Sequence, residues 1–534
     1  MQFFAGPLKE LAEYEEIQKK RTEKQGMIQI SGCVTSQKTH LMYALGDGFK
    51  RKIIAVSSEL KAKQIYEEYR FLDSDVWIYP AKDLLFYQAD LRGKFLIKQR
   101  MEVYQALLEQ EQVTVITSFD GFMDSLLPLE EMEKRVISLE AGQELDFEKL
   151  KKDMVLLGYE REEQIEGPGQ FAVRGGILDI YPLTEEVPVR IEMWGDEIDS
   201  IRTFDVESQR SIENLESIRI YPATDFPEEQ AKRVSFLDYF DKKTSMLFLD
   251  EPVRLIEKGE SVEEEFVQAQ ANRMECGYAV SDEEMKLFST KEIADKMNQY
   301  YSIGMSALEM KCKEFKTRGL YHLQAKGVNP YNNSFEMLTR DLKQLKRKGY
   351  RAILLSGSRT RAKRLAEDLR DYNLSSFYSE DVEREVNPGE IMVTYGHVTE
   401  GYEYPMIKFI VISETDIFGQ KKKKRKRKVY EGQKIQSFSE LKVGDYVVHE
   451  NHGLGIYQGI EKIEVDKVSK DYMKIAYAAG GNLYIPATQL DLIQKYASAD
   501  AKKPKLNRLG GQEWTKTKTR VRGAVKEIAK DLVE

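Results

Sequence analysis

The sequence predicts a multi-domain α/β protein, and three observations carry that expectation. The chain has 534 residues, too many for one hydrophobic core, which sets a prior of roughly three to five domains. Short apolar runs alternate with amphipathic stretches in two separate regions, the pattern of parallel βαβ units. Between and after those regions lie strand-rich segments punctuated by Gly and Pro. Composition sets the class: 41% hydrophobic and 32% charged residues mark a soluble globular chain. No apolar run approaches the roughly 20 residues a membrane helix needs. The N-terminus, MQFFAGPLKELAEYEEIQKK, turns charged at once and lacks a secretory signal core. Cys33, Cys276 and Cys312 are three widely spaced cysteines, which fits a reducing cytosol and no disulfide framework. A net charge of -8 argues against a chain built to coat nucleic acid.

In chain order, residues 1–135 hold MIQIS, KIIAVSS, VWIYPA and QVTVITS, strands of a parallel βαβ series with helices between them. Residues 136–222 alternate through FAVRGGILDIYP, VPVRIEMWGDEIDSIRTFD and IRIYPA, a β-rich insert. Residues 223–318 are acidic, with SVEEEFVQAQ and SDEEMKLF, and are expected to be a helical or mixed completion of the first module. Residues 319–420 form a second, smaller α/β unit, with strands RAILLSGS, EIMVTYG and KFIVISET and a helix through RTRAKRLAEDLRDY. Lys421 to Lys428 are eight consecutive cations that repel one another, so 421–435 is expected to be a linker. Residues 436–499, with VGDYVVHENHGLGIYQGIEKIEV, suggest a small β-barrel. Residues 500–534 read as a linker and the start of a helix, with no capping Gly or Pro after Val533, so the natural chain is expected to continue.

One stretch nearly spells a phosphate-binding loop. Gly32-Cys33-Val34-Thr35-Ser36-Gln37-Lys38-Thr39 keeps Gly32, Lys38 and Thr39 of G-x-x-x-x-G-K-[ST] but has Gln37 where glycine belongs. A Cβ there is expected to crowd the anion, and a left-handed backbone at Gln37 would cost roughly 1 to 2 kcal/mol. A hydrolase also needs an acidic magnesium ligand at a strand end. KIIAVSS, VWIYPA and QVTVITS all finish without one, and Ile410-Val411-Ile412-Ser413-Glu414 belongs to the other α/β unit. The loop is therefore expected to be an inactive relic.

In VPVRIEMWGDEIDSIR, period-two alternation puts Val189, Ile191 and Met193 on one face and Arg190, Glu192 and Trp194 on the other. Trp beside Arg on a polar face is the composition of a protein-binding hot spot. Gly195-Asp196 predicts a tight hairpin turn. Arg174-Gly175-Gly176 sits inside a strand pattern, where paired glycines suggest a bulge or a close backbone approach. The plainer alternative packs Trp194 under a neighbouring domain and pairs both arginines with surface acids.

GQFAVRGGILDIYP (Gly169 to Pro182), followed by WGDEIDSIRTFD, resembles the module shared by the excision-repair protein UvrB and the bacterial transcription-repair coupling factors. The damaged loop selects the coupling factors, because UvrB keeps a working motor. VGDYVVHENHGLGIYQGI resembles their RNA-polymerase-interacting domain, a small SH3/Tudor-like β-barrel of the CarD type. LGGQEWTKTKTRV resembles the helix that leads into their translocase. The resemblance implies a UvrB-like degenerate phosphate-loop domain carrying a UvrA-docking insert, with its key side chains at Arg174, Arg190 and Trp194. It implies that the strand Gly459 to Glu464 pairs with the polymerase β subunit, with Lys462 and Ile463 in contact. ATP and magnesium would serve only motor domains that follow in the family, so no cofactor and no catalysis are expected in this stretch. Double-stranded DNA is expected mainly at that translocase, with the basic linker as a second candidate. The resemblance further implies a monomer in the bacterial cytoplasm, acting in nucleotide excision repair of the transcribed strand.

Two rivals remain: an active UvrB-like excision-repair ATPase, and a stand-alone transcription regulator built on the barrel. His449-Glu450-Asn451-His452 is expected to be a hairpin end and not a metal site, since no Cys or further His lies nearby. Cys33 is expected to be a small buried hydrophobe.

Overall fold

The computed structural model describes residues 2–82, 94–206, 208–224, 233–275 and 287–419, with shorter stretches between 433 and 514. The first unit opens with β1 (Gly26–Ser31), β2 (Arg51–Val56), β3 (Val76–Tyr79) and β4 (Val113–Ser118). These strands are apolar without alternation because both sheet faces are covered. In β1, Met27 enters one core while Ile28 and Ile30 enter another. The helix Thr35–Leu45 follows β1, and the helix Glu59–Leu72 follows β2, its start capped by Ser58 accepting from the Lys61 N–H.

After β5 (Ile137–Glu140) the chain builds a separate sheet. Its strands are β6 (Glu160–Arg161), β7 (Gln170–Arg174), β8 (Ile177–Tyr181), β9 (Val189–Trp194), β10 (Glu197–Phe204) and β11 (Ser211–Leu215). They pair in the order β11-β10-β9-β8-β7-β6. The chain then returns through β12 (Ser217–Ile220), which pairs antiparallel with β5 and closes the excursion. Arg174-Gly175-Gly176 is neither a bulge nor strand interior. Arg174 pairs with Ile177, so Gly175-Gly176 is the two-residue turn of the β7–β8 hairpin, with Gly175 at φ 61°. The close backbone approach is present, since the Met193 N–H donates to the Gly176 carbonyl at 2.8 Å.

Region 223–318 is mixed and completes the first unit. It holds the helices Pro252–Glu275 and Thr290–Met297, but also β13 (Ser245–Asp250) and β14 (Tyr301–Met305). Together with β15 (Thr317–His322) they complete an all-parallel seven-stranded sheet, order β15-β1-β14-β13-β2-β4-β3. The first unit therefore runs a few residues past 318.

The second unit contains β16 (Lys326–Gly327), β17 (Arg351–Ser356), β18 (Ser376–Tyr378), β19 (Ile391–Tyr395), β20 (Tyr402–Tyr404) and β21 (Phe409–Ile412), in the order β16-β20-β21-β17-β19-β18. The four strands β21, β17, β19 and β18 are parallel, and β20 and β16 add an antiparallel edge. Alternation along β17 divides two cores. Ala352 and Leu354 pack under the helices Phe335–Arg347 and Arg359–Asp371, while Ile353 and Leu355 join the core of the first unit. The two units thus share one apolar seam.

The terminal unit contains β22 (Gln433–Lys434), β23 (Tyr446–His449), β24 (Gly453–Val465), β25 (Val468–Ala476), β26 (Asn482–Pro486) and β27 (Ile493–Lys495). They form one antiparallel sheet, order β22-β27-β23-β24-β25-β26, over a small core of Val447, Tyr457, Met473, Ile475, Tyr477, Ile485 and Ile493. The octet Lys421 to Lys428 lies outside the described residues. Among the described residues, no helix is long and apolar enough to cross a membrane.

Candidate functional site

The loop after β1 is closed by the protein itself. Gly32 has φ 80°, and a Cβ there would stand 2.3 Å from the Leu323 carbonyl oxygen, so the close approach of the segment after β15 requires glycine. Three N–H groups at the start of the loop have acceptors within the protein. Gly32 donates to Ala307 O at 3.3 Å, Cys33 to Ser306 O at 3.1 Å, and Val34 to Gln37 Oε1 at 3.1 Å. Gln37 is therefore not a strained left-handed residue. It lies in the first turn of an ordinary helix and caps that helix with its side chain.

Lys38 is equally committed. Its Nζ donates to Asp250 Oδ1 at 2.7 Å and to Glu251 Oε1 at 2.6 Å, with all but 7% of its side chain buried. Burial works against the charge, but attraction to Asp250 and hydrogen bonds to both carboxylates outweigh it and raise the Lys38 pKa. This overturns the expectation that no acidic partner exists: Asp250-Glu251 ends β13, at the centre of the sheet. Ser36 Oγ and Thr39 Oγ1 donate to the two oxygens of buried Glu68, at 2.7 and 2.6 Å. Glu68 also accepts the Thr399 N–H at 3.0 Å, and Ser36 Oγ accepts the Glu400 N–H at 3.1 Å. The loop hydroxyls thereby fasten the second unit to the first. Nearby, His40 is fully buried between the Phe4 carbonyl at 2.8 Å and the Tyr404 hydroxyl at 3.0 Å, and burial lowers its pKa to about 4. Cys33 is buried as expected, and burial pushes its thiol up to about 12.

The insert brings Arg174, Arg190 and Trp194 onto one sheet face. Register aligns Asp179 with Arg190 and, one row further, Ile177 with Glu192, with Trp194 two residues beyond at the same end as both hairpin turns. Arg190 gives Asp179 a two-pronged grip, Nε to Oδ1 at 2.7 Å and Nη2 to Oδ2 at 2.9 Å, and lies over the Phe204 ring at 4.4 Å. The hydrogen bonds to Asp179 raise the Arg190 pKa. Arg174, half-exposed, reaches the same Asp179 Oδ2 at 3.1 Å. Trp194 is 81% exposed on the β9–β10 turn, where Gly195 has φ 65°. The two arginines are thus organised by a buried carboxylate, and the indole stands clear of the protein.

In the terminal sheet, β23 pairs with β24 over Gly453 to Ile456, and β25 pairs with it from Ile456 to Val465. Lys462 and Ile463 lie opposite Asp471 and Lys470 in the second ladder, beyond the reach of the first. Their side chains lie outside the described residues. Among the described residues, no group of three or more His, Cys, Asp or Glu could hold a metal ion.

Residues 137–226 match the UvrB interaction domain, and residues 441–497 match the CarD-like/TRCF RID domain. The sequence is 29% identical to the transcription-repair-coupling factor of Bacillus subtilis (strain 168), covering 95% of this chain and 48% of that protein. The chain is a relative of the transcription-repair-coupling factors. It is 28% identical to the same factor from Staphylococcus haemolyticus and 27% identical to that of Staphylococcus aureus (strain MRSA252), each over 44% of the relative's length. The chain spans about half the length of the curated relatives it matches.

Four carboxylates that organise these sites escaped the sequence. Asp250 and Glu251 end Ser245-Met246-Leu247-Phe248-Leu249, an apolar run before two acids that could have been read as a strand. Glu68 sits on the apolar face of its helix, three residues after Ile65 and four before Leu72. Asp179 faces away from the core-facing Leu178 and Ile180 in the middle of an apolar strand, which marks it as a partner for cations.

Proposed function

We propose that this chain is the adaptor portion of a transcription-repair coupling factor, without chemistry of its own. It docks UvrA through the insert face of Arg174, Arg190 and Trp194. It pairs with the β subunit of RNA polymerase through Gly459 to Glu464 of a CarD-type, SH3/Tudor-like barrel, with Lys462 and Ile463 at the contact. Its role is to recruit excision repair to stalled polymerase in the bacterial cytoplasm, as a monomer. The observation that carries the reading is Trp194: a large aromatic 81% exposed beside two ordered arginines, inside the matched UvrB interaction domain. For the polymerase side, strand addition to the second edge of β24 would supply main-chain hydrogen bonds while Ile463 supplies selectivity. Pull-down with purified UvrA and polymerase tests both. Trp194→Ala should lose UvrA alone and Ile463→Arg polymerase alone; loss of both partners by either change would defeat the reading.

Asp250 gives the ATPase alternative a concrete basis, because an acid at a central strand end beside Lys38 is the layout of a nucleotide hydrolase. The adaptor reading treats the loop as a degenerate nucleotide site: the amides of Gly32, Cys33 and Val34, the Lys38 ammonium and the hydroxyls of Ser36 and Thr39 have internal partners, which ATP would have to displace. Calorimetric titration with Mg-ATP distinguishes the two, and micromolar uptake would favour the hydrolase.

A further inference from the structure

The second α/β unit has no role in the adaptor reading, yet its charge is strongly segregated. From Phe335 to Tyr372 the sequence has eleven Lys and Arg against five Asp and Glu, net +6, in a chain of net charge -8. From residue 373 to 420 the balance reverses, with two cations against nine acids. The first segment is the pair of helices that covers the sheet face opposite the shared seam, joined by the Phe335 and Tyr372 rings at 5.5 Å. Leu338, Leu342, Ala362, Leu365 and Leu369 turn inward, so the cations occupy the outward faces.

On the first helix Arg340, Lys343 and Arg347 are exposed at i, i+3 and i+7, a straight stripe about 10 Å long. Arg340 approaches only Asp341, at 3.7 Å between two exposed side chains. Among the described residues, Lys343, Arg347 and Lys348 have no carboxylate partner, nor has Arg364 on the second helix. On the second helix Arg359 and Arg361 are paired with Glu380 and Glu414, so the uncompensated cations among the described residues include Lys343, Arg347, Lys348 and Arg364, and like charges on neighbouring turns repel.

We propose that this two-helix face is a binding surface for the phosphodiester backbone of a nucleic-acid duplex, independent of sequence. Charge complementarity selects a polyanion. The stripe itself carries no aromatic side chain on which an unstacked base could lie, which favours a duplex over a single strand. The surface uses none of the residues of the insert face, of β24 or of the octet Lys421 to Lys428.

The test is anisotropy of a labelled duplex with the full chain at low salt, followed by a salt titration. Arg340→Glu, Lys343→Glu and Arg347→Glu together should weaken binding at least about tenfold and make the log-log salt slope shallower by about 2 to 3. Reversing exposed Lys63, Lys149 and Lys152 instead changes net charge equally and should leave affinity within about twofold. Glutamine at the three stripe positions should give an intermediate loss, and circular dichroism should show native folding for each variant. Neutralising the octet should leave the stripe-dependent part of binding in place. Duplex DNA and duplex RNA arms identify the backbone preferred, and a single strand should bind more weakly than either. Binding unchanged by the stripe reversal, loss caused equally by the control reversal, or preference for a single strand would overturn the proposal.

Discussion

Replacing Lys38 by Met separates a closed loop from a nucleotide-binding one without any nucleotide. In the structure the ammonium neutralises Asp250, whose side chain is 3% exposed, and Glu251, 21% exposed. Removing one partner of a buried pair typically costs about 3–5 kcal/mol, because the remaining charge stays buried alone. At about 2–4 °C per kcal/mol for a unit of this size, melting should fall by roughly 6–20 °C. The assay is scanning calorimetry of the full chain, with Lys38→Met/Asp250→Asn/Glu251→Gln as the rescue, since removing all three charges should restore most of the loss. The pH dependence has a fixed sign. A lysine pKa raised on folding gives stability that is complete below the unfolded value of about 10.4 and lost as pH rises through the folded value. The gap between wild type and Lys38→Met should therefore be flat near neutrality and, on the alkaline side, close only in strong alkali. A melting point within about 2 °C of wild type, with no gain from the rescue, would refute a committed lysine.

His40 supplies an acid-side prediction. Neutral in the fold down to about pH 4, it lets the unfolded chain bind a proton first, so stability should fall by about 3 kcal/mol as pH drops from about 6.5 to about 4. In denaturant melts across that window, His40→Gln should flatten the fall, and an unchanged slope would contradict a buried neutral imidazole. Asp179→Asn removes the charge shared by both arginines and should destabilise the insert by several kcal/mol, read as loss of protection in hydrogen exchange. Trp194→Ala should leave that protection intact, since the indole is 81% exposed. Equal behaviour of the two variants would mean that Trp194 is structural.

The sheets were legible where periodicity is unambiguous. β1 to β4 and β17, β19 and β21 are apolar runs between amphipathic helices, and β9 and β10 flank a Gly-Asp turn. Within the mixed region 223–318 the strand Ser245–Asp250 was not legible, because it is buried on both faces, carries no alternation and lies among acidic helices. Missing that strand hid Asp250 and Glu251 and so produced the expectation of a lysine without an acid. The face shared by Arg174, Arg190 and Trp194 followed in part from period two, but Asp179 as its organiser depends on the register of β8 against β9, which no single strand discloses. The locking of Ser36 and Thr39 by Glu68 joins residues on two helices to Thr399 and Glu400, contacts set by packing between units.

The account rests on one chain holding two protein partners at distinct surfaces. The most direct measurement is the mass of the complex formed when this chain is mixed with both UvrA and RNA polymerase under native conditions. The account predicts a ternary assembly containing one copy of this chain, which loses UvrA with Trp194→Ala and polymerase with Ile463→Arg. Mutual exclusion, in which either partner displaces the other, would contradict it.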